Sequence, residues 1–415
     1  MKRILLLTFL ITYHLFAFAQ VVVMPPFFGV QHQSVSLSIT AINNSVNLGE
    51  MTVSVSIKGS IAMSERGIVY NTARLPTTAN SKYNAGSGAG NTTFLTTATG
   101  LSPTTPSTPR IYYVRPYATT SSGATFYGPE YAFMIYGYTG SLQTFTVPAQ
   151  VNEVTMQAVG GQGGSITYSG TTLRGGFGAS MRGVFSVTSS EVIDILVAGR
   201  GTSSTYLGAA NNNPNPGGGG GSFIVRKDQV TLANVAMLVA GGGGGAAWPG
   251  IDNGSNIWPN PSWQAIGRPG LTGTSGGNSS QVSNAPATTI YSGGTDGWGG
   301  IGNHGGGGGG FKGDGTSPAG AATGNAYGRK YPGIGGYFLG RPECTGGYGG
   351  GGAGFGGVWV GGGGGGGYSG GAGCTLYGAS GGGGSYNAGT SQQNYDGDSY
   401  GQQGDGRVVI SWKTP

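Results

Sequence analysis

Ninety-one of the 415 residues are glycine, about three times the usual share of ~7%, and they are not spread evenly. Eleven fall in residues 1–137 and 80 in residues 138–415. Glycine has no side chain to bury and the most backbone freedom to lose, and ordering each residue costs roughly 1–2 kcal/mol of conformational entropy. A chain built this way must either stay disordered or find a packing that relies on its backbone. The step near Tyr138 therefore divides the molecule into two regions that obey different rules.

In the second region the glycines gather into pure runs at 217–221, 241–245, 305–310, 361–367 and 381–384. Three features favour order over a flexible tail. The runs have similar lengths, and Trp248, Phe311, Trp359, Tyr368 and Tyr386 bracket them. Only 8% of the chain is charged, against ~25% in an ordinary globular protein. The expected form is a bundle of polyglycine helices with three residues per turn. Such a helix has no internal hydrogen bonds, so neighbours must meet every N–H and C=O. At about 3.1 Å per residue, the run 361–367 would span roughly 22 Å, the length of a sandwich strand. The runs are thus expected to pack beside the sheets as a third layer.

Strand chemistry frames these runs. Apolar and polar residues alternate in Phe145–Pro148, Val154–Val159, Phe185–Val187 and Ile193–Val197, and the short apolar-rich segments Phe223–Val225, Met237–Val239 and Arg407–Trp412 read as strands with them. Period-two alternation of this kind predicts half-buried strands. A strand closing the region predicts that both its ends belong to one sandwich over 138–415, with a jelly-roll-like topology. In the first region Val35, Leu37 and Ile39 alternate with polar residues, as do Val53, Val55 and Ile57, and Gly67–Tyr70 and Tyr112–Arg115 follow. These predict a second all-β sandwich over 33–137.

The first region resembles fibronectin type III-like modules of secreted bacterial proteins, an immunoglobulin-like sandwich. The likeness rests on Arg66-Gly67-Ile68-Val69-Tyr70, Gly100-Leu101-Ser102-Pro103, Tyr112 to Ala118 and Gly123 to Tyr131. The Pro-rich insertion Thr104 to Pro109 departs from it. The resemblance implies a spacer or docking unit, with Leu101 and one of the tyrosines 112 and 113 beneath the turn at the sandwich end. The second region resembles the extracellular glycine-rich domain of the anaplastic lymphoma kinase and leukocyte tyrosine kinase receptors. There the matching segments are Gly217 to Lys227, Leu238 to Gly245, Gly361 to Gly371 and Gly404 to Ile410. That likeness implies a β-sandwich with packed polyglycine helices and a surface for protein ligands. The sequence carries no kinase, membrane span or EGF-like module, so the receptors' ligand-contact residues do not carry over.

At the amino terminus Lys2 and Arg3 precede the apolar stretch Ile4 to Phe18, and Ala17-Phe18-Ala19 has the small-x-small form of a cleavage site. This order predicts a signal peptide over 1–19, cut between Ala19 and Gln20, and an exported chain. The stretch is shorter than the roughly 20 residues a spanning helix needs, and no other segment reads as transmembrane. Residues 20–32, with Pro25 and Pro26, read as a linker.

The formal charge of +6 does not point to nucleic acid. Residues 138–415 hold 12 Lys and Arg against 11 Asp and Glu, with no basic run, and phosphate binding needs several clustered cations. Arg174-Gly175-Gly176 is expected simply to end a strand. Cys344 and Cys374, in a compartment that permits oxidation, are expected to form a disulfide; the closed loop of about 30 residues would add roughly 3–4 kcal/mol in the chain-entropy view.

Catalytic chemistry finds no foothold in the motifs. His32 lies in the linker and His304 beside a glycine run; a Ser–His–Asp arrangement needs a base oriented by a carboxylate, and none stands close in sequence to His304. Metal-ligand spacing is absent, and Asp396-Gly397-Asp398 reads as a polar turn, because Tyr400 stands where a calcium loop needs oxygen. Phe311-Lys312-Gly313 lacks the Lys-Ser or Lys-Thr of a phosphate loop. No cofactor is expected. The candidate ligand surface runs from Trp248 to Trp263, with Asn253, Asn256, Trp258 and Asn260, since aromatic faces beside amides suit sugar rings or protein patches. The same tryptophans could instead seal the sandwich rim. The expected function is an exported, non-enzymatic, adhesin-like binding or structural protein with a glycan or protein ligand. A carbohydrate-active enzyme or its accessory, and an inert cell-envelope protein, are the alternatives.

Overall fold

Alternation becomes strand structure wherever one side chain in two can leave water. The computed structural model describes residues 35–45, 49–59, 61–105, 107–168, 170–205, 213–247, 266–281, 289–317, 328–337, 341–357, 361–374 and 378–415. Strands β1 (Ser36–Asn44), β2 (Met51–Lys58) and β5 (Thr92–Ala98) form an antiparallel sheet in the order β1-β2-β5. Leu37, Ile39, Val53, Val55 and Ile57 point from it into one hydrophobic core. The facing strands are β3 (Met63–Asn71), β4 (Ser81–Asn84), β6 (Tyr112–Thr120), β7 (Thr125–Tyr127) and β8 (Tyr131–Tyr136). They supply Ile68, Val114, Phe133 and Ile135 to the same core. Tyr112 is the tyrosine at the sandwich end: its hydroxyl accepts from Ser102 N at 2.8 Å, its ring stacks on Phe133, and Leu101 is buried beside it.

The second sandwich is framed by β9 (Gln143–Thr146), β10 (Glu153–Val159), β13 (Ser180–Ser186), β14 (Val192–Leu196), β17 (Ser222–Lys227) and β18 (Asn234–Ala240). It is completed by β22 (Tyr386–Asn387), β23 (Thr390–Tyr395) and β24 (Arg407–Lys413). One sheet runs β22-β18-β17-β14-β9. Short strands β11 (Ile166–Tyr168), β12 (Thr171–Leu173) and β15 (Ser204–Thr205) pair with one another. So do β16 (Asn213–Pro214) with β20 (Gly356–Gly357), and β19 (Ser280–Gln281) with β21 (Gly378–Ala379). The protein is thus an all-β arrangement of sandwiches, and β10 pairs with β24, so both ends of the second region do meet in one sheet.

The two sandwiches are not separate beads. The remaining sheet is continuous, β23-β13-β10-β24-β8-β6-β3-β4, because β24 pairs with β10 on one side and with β8 on the other. Alternate residues of these central strands serve different cores. Ala132, Met134, Tyr136, Val408, Ile410 and Trp412 face the second core with Phe145, Met156 and Ile195. Phe133, Ile135 and Val409 face the first. Residues buried on both faces read as unbroken apolar runs, as in Tyr131-Ala-Phe-Met-Ile-Tyr136.

The glycine runs grow out of strand ends rather than lying wholly beside the sheets as expected. Gly160 follows β10, Gly241 follows β18, and Gly221 leads into β17. All five runs are buried, and their backbones are hydrogen-bonded with a repeat of three residues. Gly363 and Gly366 donate to Pro216 and Gly219, Gly364 and Gly367 to Gly306 and Gly309, and Gly365 and Tyr368 to Gly381 and Gly384. The carbonyls of the same run accept from three further segments: Gly363 and Gly366 from Gly245 and Gly242, Gly361 and Gly364 from Phe355 and Gly352, Gly362 and Gly365 from Cys374 and Gly371. Donor partners advance in the run's direction and acceptor partners against it, so six segments surround one, at 2.7–3.2 Å. A Cβ on any glycine of 217–221, 241–245, 361–367 or 381–384 would lie under 3.0 Å from a backbone atom. Glycine is required there by close approach of backbones, not by turn geometry.

Trp248 and Trp359 lie outside the described residues; the described aromatic residues flanking the runs pack on the outer face of the five-stranded sheet. Phe311, Tyr348, Tyr368 and Tyr386 gather round Leu196, Phe223, Val225, Val239 and Tyr331, with Tyr368 and Tyr386 stacked at 4.7 Å.

Candidate functional site

Polar side chains gather on the outer face of the continuous sheet. In β10 the residues Val154, Met156 and Ala158 fill the second core, which turns Thr155 and Gln157 outward. In β13 Met181 and Phe185 do the same and turn out Ser180 and Arg182. Register then sets one row across the sheet: Gln393 opposite Arg182, Arg182 opposite Gln157, Gln157 opposite Val409, and Val409 opposite Ile135. The row is apolar where the β1-β2-β5 sheet covers it and polar where that cover ends. At this margin a cleft of about 350 Å³ opens.

Its floor is Gln157, Arg182 and Gln393; Tyr395 and Tyr400 flank it, and Asn43, Thr52 and Leu95 of the first sandwich form the opposite wall. Tyr400 sits on the short helix α1 (Gly397–Tyr400), whose amino end Asp396 caps by accepting from Ser399 N at 2.7 Å. Gly401 closes the helix at φ +75, a left-handed conformation natural to glycine. The rings of Tyr395 and Tyr400 stack at 6.5 Å. A second cleft of about 530 Å³ adjoins along β1 and the end of β24, and Arg182 lines both.

Arg182 is the unusual group. Its residue is 9% exposed, and its Nε has no hydrogen-bond partner among the described residues. Burial lowers its pKa from the ordinary guanidinium value, opposed by neighbouring Tyr395; an arginine keeps its charge nonetheless. Across the cleft the Oδ1 of Asn43 is buried and likewise has no partner among the described residues. A desolvated donor and a desolvated acceptor therefore line the same cleft. Tyr400 has its phenol pKa raised by burial, with Arg407 pulling the other way.

Trp248, Asn253, Asn256, Trp258, Asn260 and Trp263 lie outside the described residues, as do Ala19, Gln20 and His32. The expected disulfide is not formed: Cys344 and Cys374 are free thiols, both buried. Each is held by its own surroundings. Cys374 Sγ accepts from Gly362 N at 3.0 Å and from Ser380 Oγ at 3.2 Å, while Cys344 closes a one-turn 3-10 helix, Pro342–Cys344. Burial pushes the Cys344 thiol up to about 12 and raises that of Cys374. His304 is half-buried, set edge-on to Phe355 at 5.5 Å, and burial lowers its pKa. Asp398 pairs with Arg174 at 2.9 Å, so the Asp396–Asp398 segment is a capped turn. Arg174 directly follows β12 and stacks on Phe177, as its strand-ending role requires. Among the described residues no group of three His, Cys, Asp or Glu converges as a metal site.

The cleft was missed because its walls come from strands far apart in sequence. One signal was present: Arg182 interrupts an otherwise apolar strand, Ser180-Met-Arg-Gly-Val-Phe. Comparison of the chain with known family models and with curated proteins finds no match in either.

Proposed function

We propose that this protein is an exported, cell-surface or matrix, non-enzymatic binding module of adhesin-like character, taking its ligand in the cleft around Arg182. The observation that carries this reading is a built polar cleft at the margin between two cores, with rings, amides and a guanidinium around one space. Aromatic faces beside amides suit glycan rings or polar protein patches, and pockets of this size class commonly hold small ligands. The amino-terminal sequence supports export. We also infer that the glycine runs are polyglycine helices in mutual packing, since the three-residue hydrogen-bond repeat is the demand such helices make. That block would give the cleft a stiff support.

A hydrolase would require two carboxylates flanking a scissile bond. Among the described residues lining the two clefts the carboxylate side chain is that of Glu153, so the hydrolase reading has the weaker support. Glycan-array and pull-down binding with the wild-type protein and with Tyr395→Ala is the test. Binding that Tyr395→Ala reduces supports the cleft as the ligand site. Failure to retain any glycan or protein favours an inert envelope component.

A further inference from the structure

We propose that the cleft takes a carboxylate-bearing saccharide, a uronic acid residue within an oligosaccharide. The Arg182 guanidinium would meet its carboxylate, and the Tyr395 ring would lie against the sugar. This rests on the cleft being the ligand site. The described ion pairs employ Arg74, Lys82, Arg174, Arg226, Arg329 and Arg341, and none reaches Arg182. A desolvated cation without an anion is costly, and a guanidinium's planar fork matches a carboxylate bidentately. The anion it lacks is the group a uronic acid carries.

The rest of the cleft selects a sugar as the bearer of that group. Asn43 Oδ1 needs a donor, and Arg182 Nε needs an acceptor; a hydroxyl-rich ring offers both. The exposed amide of Gln393 can turn either face to such hydroxyls, while Gln157, whose Nε2 donates to Ser180 Oγ at 3.1 Å, holds the floor in place. Tyr395 is 49% exposed on one side and Leu95 is 66% exposed on the other, giving apolar surface for the C–H faces of a pyranose. The adjoining cleft along β1, sharing Arg182, leaves room for the neighbouring residues of a chain. Glu153 lines only that second cleft.

Isothermal titration with tri-galacturonate and tri-mannuronate, their methyl esters, and neutral galactotriose tests this with the unmodified protein. The acids should bind, and esterification should weaken them at least tenfold. Arg182→Met should do the same, Arg182→Lys should recover part of the loss, and Tyr395→Ala should weaken acid and ester alike. Esters binding as tightly as acids would overturn the carboxylate assignment while leaving the cleft as a glycan site. If none of the sugars binds, or if Tyr395→Ala changes nothing, the cleft reading fails as well. Displacement by a peptide with a free carboxy terminus, without any sugar binding, would also overturn it. Should the Arg182 variants fail to fold, the ester comparison and the exposed variant Gln393→Ala still decide.

Discussion

In the first sandwich Val53, Val55 and Ile57 are buried because their side chains leave water; in the glycine block Gly363 to Gly366 are as fully buried with no side chains at all. The first interior gains roughly 1.5–3 kcal/mol from each large aliphatic side chain it hides. The second gains little from apolar area and depends on satisfaction: from Gly363 to Gly366 each N–H and C=O has a partner in a neighbouring segment. A made hydrogen bond contributes only about 0.5–1.5 kcal/mol net, but an unmade buried one costs about 1–3 kcal/mol. One interior is thus sensitive to lost volume, the other to added volume.

Gly364 offers the sharpest way to break that contrast. A Cβ there would land on the carbonyl oxygen of Gly371, and the run cannot shift without disturbing the segments around it. We expect Gly364→Val to cost more than about 4–5 kcal/mol, the exceptional range for single substitutions, read as a fall in denaturation midpoint. An unchanged midpoint would mean that the run is not packed. Next in size is the opposite change, Ile57→Ala in the first core, expected to cost about 2–5 kcal/mol through the cavity it leaves. Gly401→Ala separates conformation from packing, since nothing lies within 4 Å of a Cβ there although φ is +75. It should cost only about 1 kcal/mol, the left-handed penalty alone.

A smaller effect comes from Glu65, whose carboxyl is held below the usual carboxylate range by hydrogen bonds from Lys82 and then Tyr117. A depressed folded-state pKa stabilises above the unfolded value and is lost as pH falls through the folded one. Partial exposure limits the contribution to under about 1 kcal/mol. Wild type should therefore lose slightly more stability than Glu65→Gln between pH 7 and pH 3, measured by thermal melts. The smallest expected effect is zero: with Cys344 and Cys374 free, a reductant should leave the melting temperature unchanged, and mass analysis after denaturing alkylation should count two thiols.

Much of the first sandwich was legible because one residue in two is polar along β2, and the resemblance placed Leu101 beneath the turn with one of two tyrosines, of which the fold selects Tyr112. The joined sheet was not. In β8 and β24 the alternation disappears, since both faces are covered, and an unbroken apolar run does not say which two cores it separates. The cysteines misled for a different reason: their spacing in sequence carries no information about Cys374 Sγ serving as an acceptor for Gly362 and Ser380. The glycine runs announced a backbone-driven packing, but which segments surround 361–367 depends on chain paths that pure glycine cannot encode. Arg182 could be read as an odd residue in its strand; its place opposite Asn43 required the fold.

The position of β24 between β10 and β8 sets the order in which the molecule can be made. Emerging from a ribosome, the nascent chain delivers that strand after every other strand of both sandwiches. Until residues 407–413 arrive, each sandwich has an open seam, and a truncation ahead of Arg407 would leave both seams exposed at once. Closure of the two interiors therefore waits on a single strand, β24.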